Sequence, residues 1–123
     1  MKLAILDDYQ DTIRTLDCFK KVAKQDVTIW KDHTKDVDTL AKRLADTEVL
    51  VCIRERTPIR APLLDRLDRL KMVTQVGVVP NIDVPACTRR GVIVSKVVEK
   101  VMHPDELAEC FSEGWIARHR LIQ

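Results

Sequence analysis

The sequence predicts a three-layer α/β fold: a five-stranded parallel sheet with helices on both faces. Three observations carry this expectation. Short continuous apolar runs alternate five times with stretches whose apolar residues recur every three to four positions. The helical stretches are punctuated by residues that start or stop helices. The length, 123 residues, suits one domain of ordinary size. Strands separated by helical crossovers run parallel, and their helices cover the sheet.

The elements follow in order. Leu3-Ala4-Ile5-Leu6 is a continuous apolar run ending in Asp7-Asp8, the pattern of a strand buried on both faces. Ile13, Leu16, Phe19 and Ala23 then recur between polar residues and predict an amphipathic helix over 10–24. Val27, Ile29 and Trp30 make a second strand. Asp36 precedes Val37, Leu40, Ala41 and Leu44, a helix with acid in its first turn and Lys42 and Arg43 later, as the helix dipole prefers. Val49 to Ile53 is the most hydrophobic stretch and reads as the central strand. After Thr57-Pro58-Ile59 a short helix occupies 61–67, with Pro62 in its first turn. Residues 72–76 form a fourth strand, 77–81 a loop, 84–90 a helix stopped by Gly91, and 92–94 a fifth strand. Pro104, Asp105 and Glu106, followed by Leu107, Phe111 and Trp115 on one face, predict a last helix over 104–121 that closes the sheet.

Five strands in a chain of this length fit the flavodoxin-like order 2-1-3-4-5; a six-stranded dinucleotide-binding order needs more chain. Residues 1–123 read as a single domain, with no repeat and no dividing linker.

Composition narrows the function classes. With 46% hydrophobic and 33% charged residues the chain has a globular balance. Its formal charge of +2 leaves no footprint for nucleic acid or anionic lipid. No apolar run is long enough to span a membrane. Cys18, Cys52, Cys87 and Cys110 lie far apart, with no C-x-x-C pair, and read as reduced, mostly buried thiols of a cytoplasmic protein. A monomer is expected.

In such sheets ligands lie beyond the carboxyl ends of the strands, which selects the loops 7–9, 31–33, 54–59, 77–81 and 96–98. Asp7-Asp8 invites a receiver-type Mg²⁺ site, with Lys96 in place. The end of the third strand, however, reads Ile53-Arg54-Glu55-Arg56, with no phospho-acceptor Asp and with two cations competing for the carboxylates. The acidic pair is expected to cap the first helix instead. Glycines occur only at 77, 91 and 114, so neither a G-x-G-x-x-G turn nor a P-loop can be written. The acidic turn after the first strand would repel a flavin phosphate. His33, His103 and His119 are scattered and read as surface or capping residues, no metal set stands at ligand spacing, and Cys52 and Cys87 read as small hydrophobes. No cofactor is expected. Two loops remain. Arg54, Arg56 and Thr57 place two guanidiniums and a hydroxyl at the end of the central strand, and Gly77-Val78-Val79 offers backbone N–H groups after the fourth. Together they suit a small organic acid; the plain alternative is that the arginines pair with nearby carboxylates and the loop merely turns.

Three stretches, residues 4–10 (AILDDYQ), 54–59 (RERTPI) and 81–92 (NIDVPACTRRGV), resemble the D-isomer-specific 2-hydroxyacid dehydrogenases, and more narrowly a phosphoglycerate-dehydrogenase-like branch, over residues 1–95. The resemblance implies a flavodoxin-like substrate domain. In it the 77–79 loop would contact a substrate carboxylate through backbone amides, and the Arg54–Thr57 loop would line an interdomain cleft. Where the family commonly has a second glycine or a Ser/Tyr variant, this chain has Val78-Val79, two β-branched residues that stiffen the turn. The family's nucleotide-binding domain, with its glycine-rich turn and catalytic Arg, Glu and His, has no counterpart among these residues. The expectation is therefore a truncated, engineered or chimeric stand-alone domain without activity of its own. A half-enzyme acting with a partner chain is the first alternative and a receiver-like module the second.

Overall fold

The computed structural model describes residues 1–97 together with Leu121 and Ile122. Five parallel strands, β1 (Lys2–Leu6), β2 (Asp26–Ile29), β3 (Val49–Cys52), β4 (Met72–Val76) and β5 (Ile93–Val97), lie in the order β2-β1-β3-β4-β5. This is the expected flavodoxin-like arrangement. A two-residue strand, β6 (Leu121–Ile122), extends the sheet and runs antiparallel to β5, with Ser95 opposite Leu121 and Val94 opposite Ile122. The helix expected over 104–121 falls outside the described residues except at Leu121, which is strand.

The faces follow from handedness. The step from β1 to β2 runs one way across the sheet and all later parallel steps run the other way. Right-handed crossovers therefore put the first connection on one face and the next three on the opposite face. Those three carry α1 (Val37–Arg43), α2 (Ala61–Leu64) and α3 (Val84–Arg89). Their buried side chains, Leu40, Leu44, Leu63, Leu64, Ala86 and Cys87, form one cluster with Ala4, Leu6, Leu50, Cys52, Val73 and Val94 of the sheet. Alternation along the strands sends Leu3, Ile5 and Met72 to the other face, where they too are buried.

Caps define the helices. Asp36 accepts the Thr39 amide at 3.0 Å at the start of α1, and Asp83 accepts the Ala86 amide at 3.0 Å at the start of α3. Two hydrogen bonds hold the Asp36 carboxyl below its ordinary range, from the Thr39 hydroxyl first and then from the amide. At the far end of α3, Gly91 takes φ 71° while its amide reaches Thr88 O and that of Val92 reaches Cys87 O. This is the paired-bond stop for which a left-handed glycine is suited.

The first connection departs from expectation. Instead of an α-helix over 10–24 it forms two 3₁₀ turns, Ile13–Thr15 and Asp17–Lys21, separated by Leu16 in an extended conformation. Amides 15, 16, 19, 22 and 25 each bond the carbonyl three residues back. The apolar residues explain it: Ile13, Leu16, Phe19 and Val22 recur at intervals of three, the 3₁₀ period, so they share one side without the α-helical repeat. Only Cys18 and Val22 are fully buried there.

Cys18, Cys52 and Cys87 are buried free thiols. Burial pushes Cys52 up to about 12, helped by the negative charge of Asp7, and pushes Cys87 up to about 11. Peptide mapping after brief iodoacetamide treatment at pH 8 should therefore find Cys52 and Cys87 unmodified in the native protein and alkylated in urea, because only the thiolate attacks. Leu64, fully buried in the helix-side cluster, gives a second check. Leu64→Ala should lower the unfolding free energy by about 2–5 kcal/mol in urea titrations.

Candidate functional site

The connections leave β1 and β3 on opposite faces, which opens a crevice at the carboxyl ends of these neighbouring strands. Asp7 closes β1 at this crevice, residues 54–57 follow β3, residues 77–81 follow β4, and His33 follows β2. Three of these exits pass through a left-handed residue: Asp7 at φ 63°, Arg54 at φ 58° and Gly77 at φ 89°. For the two non-glycine residues that conformation costs about 1–2 kcal/mol each, so the surroundings must hold it.

At Asp7 hydrogen bonds do so. Asp7, 2% exposed, accepts the Thr57 hydroxyl on Oδ2 at 2.5 Å and faces His33 Nδ1 with Oδ1 at 2.9 Å. Its main-chain carbonyl accepts Arg56 Nη1 at 2.7 Å. The same guanidinium lies 4.4 Å from the centre of the Tyr9 ring, whose other neighbour is the His33 ring, edge-on at 6.3 Å. Asp8 turns away and takes the Thr12 and Ile13 amides at 3.0 and 3.1 Å, the capping role expected of the acidic pair.

A second set of bonds joins the loops after β3 and β4. Asn81 donates to Thr57 O at 2.9 Å and to Gln75 Oε1 at 3.0 Å. Gln75 donates back to Asn81 Oδ1 at 2.9 Å and to Val78 O at 2.7 Å. Ile59 and Ile82 form a parallel bridge through Ile59 N to Asn81 O and Asp83 N to Ile59 O, both 2.8 Å. Arg60 adds a bond to Pro80 O. From His33 through Asp7, Thr57, Asn81 and Gln75 to Val78, one chain of covalent and hydrogen-bonded links ties together the exits of β2, β1, β3 and β4. Among the described residues, the amides of Val78 and Val79 have no acceptor.

Comparison with known proteins identifies this architecture. The D-isomer specific 2-hydroxyacid dehydrogenase catalytic-domain family matches residues 4–110. The chain belongs to this family. A crystal structure described as a D-3-phosphoglycerate dehydrogenase oxidoreductase from Ralstonia solanacearum is 47% identical, with a TM-score of 0.74, over 77% of this chain and 29% of that one. A phosphoglycerate oxidoreductase from Vibrio cholerae is 46% identical, with a TM-score of 0.77, over 81% of this chain and 32% of that one. A D-3-phosphoglycerate dehydrogenase from Methanocaldococcus jannaschii is 36% identical over 58 residues, which are 46% of this chain and 11% of the relative. The chain thus spans less than a third of each relative. The family match passes residue 95, so 96–110 is not foreign to the family as the motifs alone suggested.

Within this 2-hydroxyacid dehydrogenase domain the six residues singled out from sequence have distinct fates. Arg54 is exposed. Arg56 is half-buried and bonds a main-chain carbonyl, not a carboxylate. Thr57 is buried, its hydroxyl committed to Asp7. Gly77 supplies the left-handed turn, Val78 is 61% exposed, and Val79 packs against the core. His33 is a surface residue, as the sequence reading had it, and in addition it pairs with a buried carboxylate; His103 and His119 lie outside the described residues. Gln75 and Asn81 were missed. Their signal was a buried-type strand ending in an amide and a second amide six residues on, since buried polar side chains need partners.

Asn81→Leu should lower stability by about 2–4 kcal/mol, since it leaves Gln75 Oε1 and the Thr57 carbonyl without their donor in the interior. The double variant Gln75→Leu/Asn81→Leu should cost less than the sum of the two single changes; urea denaturation of all four proteins measures the coupling.

Proposed function

We propose that this chain is the carboxylate-recognising part of a 2-hydroxyacid oxidoreductase, and that these 123 residues bind a small 2-hydroxy or 2-keto acid without themselves transferring a hydride. The observation that carries the reading is the Gly77–Val79 loop. Its left-handed glycine and the anchored Val78 carbonyl leave two consecutive amides without acceptors, donors of the kind an anion recruits. Arg54, at the end of the next strand, adds positive charge to the same edge of the sheet.

The residues present do not fit a dinucleotide. The turn after β1, where a pyrophosphate would sit in a nucleotide-binding sheet, carries two carboxylates, and one of them already occupies the amides of Thr12 and Ile13. No step through a nicotinamide is therefore assigned to this chain. The relatives' names supply the reaction class, and their greater length is where the remaining machinery is proposed to reside. A second reading, a half-enzyme completed by a partner chain, is favoured by Tyr9, Val76 and Val78, large apolar side chains exposed on or beside the strand exits.

Titration of the ¹⁵N-labelled chain with oxalate, pyruvate and D-glycerate tests the proposal. Shifts should concentrate at the Val78 and Val79 amides, and Arg54→Leu should weaken binding by about three- to tenfold, the loss of one charge-assisted contact at an exposed site. Perturbations no different from those of chloride at equal ionic strength would overturn it. Incubation with NADH and 2-keto acids should show no turnover in proportion to protein; steady oxidation by the chain alone would refute the non-catalytic part, and oxidation only on mixing with a nucleotide-binding chain would support the half-enzyme.

A further inference from the structure

His33 stands where the chain leaves β2, 26 positions from Asp7 in sequence and 2.9 Å from it in space. The carboxylate side chain is 3% exposed and the imidazole 30% exposed, so the pair is dry on one side and open on the other. A carboxylate only accepts, so the ring places a proton on Nδ1 and keeps Nε2 for a second. Thr57 and Arg56, both from the loop after β3, make the other side-chain contacts to Asp7. His33 is thus the one grip on that carboxylate from the β2 side among the described residues. The charged and titratable groups around the ring are Asp7 and Tyr9 from the loop after β1, Arg56 across the Tyr9 ring, and Asp32 with its bidentate partner Arg43.

We propose that His33 is a positioning residue of the carboxylate site: it orients Asp7, Asp7 orients Thr57, and Asn81, bonded to the Thr57 carbonyl, carries that order to the Gly77–Val79 loop, so that anion affinity follows the charge on the imidazole. This rests on the carboxylate-binding reading above. A second proton on the ring turns the hydrogen bond from an uncharged imidazole to the Asp7 carboxylate into an ion pair and brings a positive charge to the strand exits. Both effects favour a bound anion, so affinity is higher when the ring carries its second proton.

The test uses the ¹⁵N-labelled chain with oxalate as probe. Wild-type protein should bind oxalate about two- to fivefold more tightly at about pH 5.5 than at about pH 8, the size expected of one partly screened charge. His33→Gln keeps a donor for Asp7 but no titrating charge. It should leave the Gly77 and Asn81 amide signals near their wild-type positions and abolish the pH dependence. His33→Phe removes the donor and should shift those signals in the ligand-free protein. An unchanged pH dependence in His33→Gln overturns the proposal, as do unmoved Gly77 and Asn81 signals in His33→Phe. Should His33→Phe fail to fold, the glutamine variant decides alone. Should wild-type protein ignore oxalate, the carboxylate-binding reading fails, whereas the ligand-free signals still decide whether His33 orders the loop.

Discussion

The strand exits depend on one buried charge. Asp7 sits at the end of β1 with its backbone in the left-handed region and its carboxylate almost wholly removed from water. A carboxylate in that position is tolerable only when donors meet it. The donors come from the neighbours on either side: His33 beyond β2 and Thr57 beyond β3. Satisfying Asp7 therefore fixes two loops at once. The loop after β3 in turn fixes the loop after β4, through Asn81 and the bridge between Ile59 and Ile82. The architecture of the crevice follows from supplying hydrogen-bond donors to a single buried acid.

Much of the fold was legible because parallel sheets leave a coarse signature. Val49 to Cys52 is apolar without interruption since both faces of β3 meet other layers, and Asp36, Asp83 and Gly91 mark helix ends by local chemistry that needs no tertiary information. The segment 10–24 was misread for a reason equally local. A spacing of three is compatible with both helix types over two turns, and the choice between them rested on where Ala23 falls. It is exposed, while Val22 is buried. The antiparallel β6 carries only two residues, too few for any periodicity to announce it.

The candidate site was legible only as a set of loops. The rule that ligands gather at carboxyl ends of strands picks out the exits of β1, β2, β3 and β4, because it depends on topology alone, whereas Lys96 and Val97 of the fifth expected loop lie within β5. Which side chains meet across those exits depends on distances that sequence order hides. Thr57 and Asp7 are 50 positions apart, and Asn81 and Thr57 are 24. Thr57 therefore read as a donor to a ligand, yet its hydroxyl is spent internally. His33 is the surface group it read as, but its partner was hidden for the same reason: nothing near it in sequence shows that a carboxylate buried at another strand's end lies beside it.

Val78 and Val79 fit this logic of internal anchoring. A glycine-rich anion loop is permissive in the free state and must be ordered when the ligand arrives, at a cost in backbone entropy. Here the order is already present. Val79 packs on the core, the Val78 carbonyl is held by Gln75, and the left-handed conformation is confined to Gly77, where it costs least. β-branching further restricts both valines. The loop thus exchanges adaptability for preorganisation: a small planar acid would find its two amides already in place, while the exposed Val78 side chain narrows what else can approach. In the proposed carboxylate site, selectivity would lie in the fixed backbone and its apolar rim, and the imidazole would act on it through the order that Asp7 imposes.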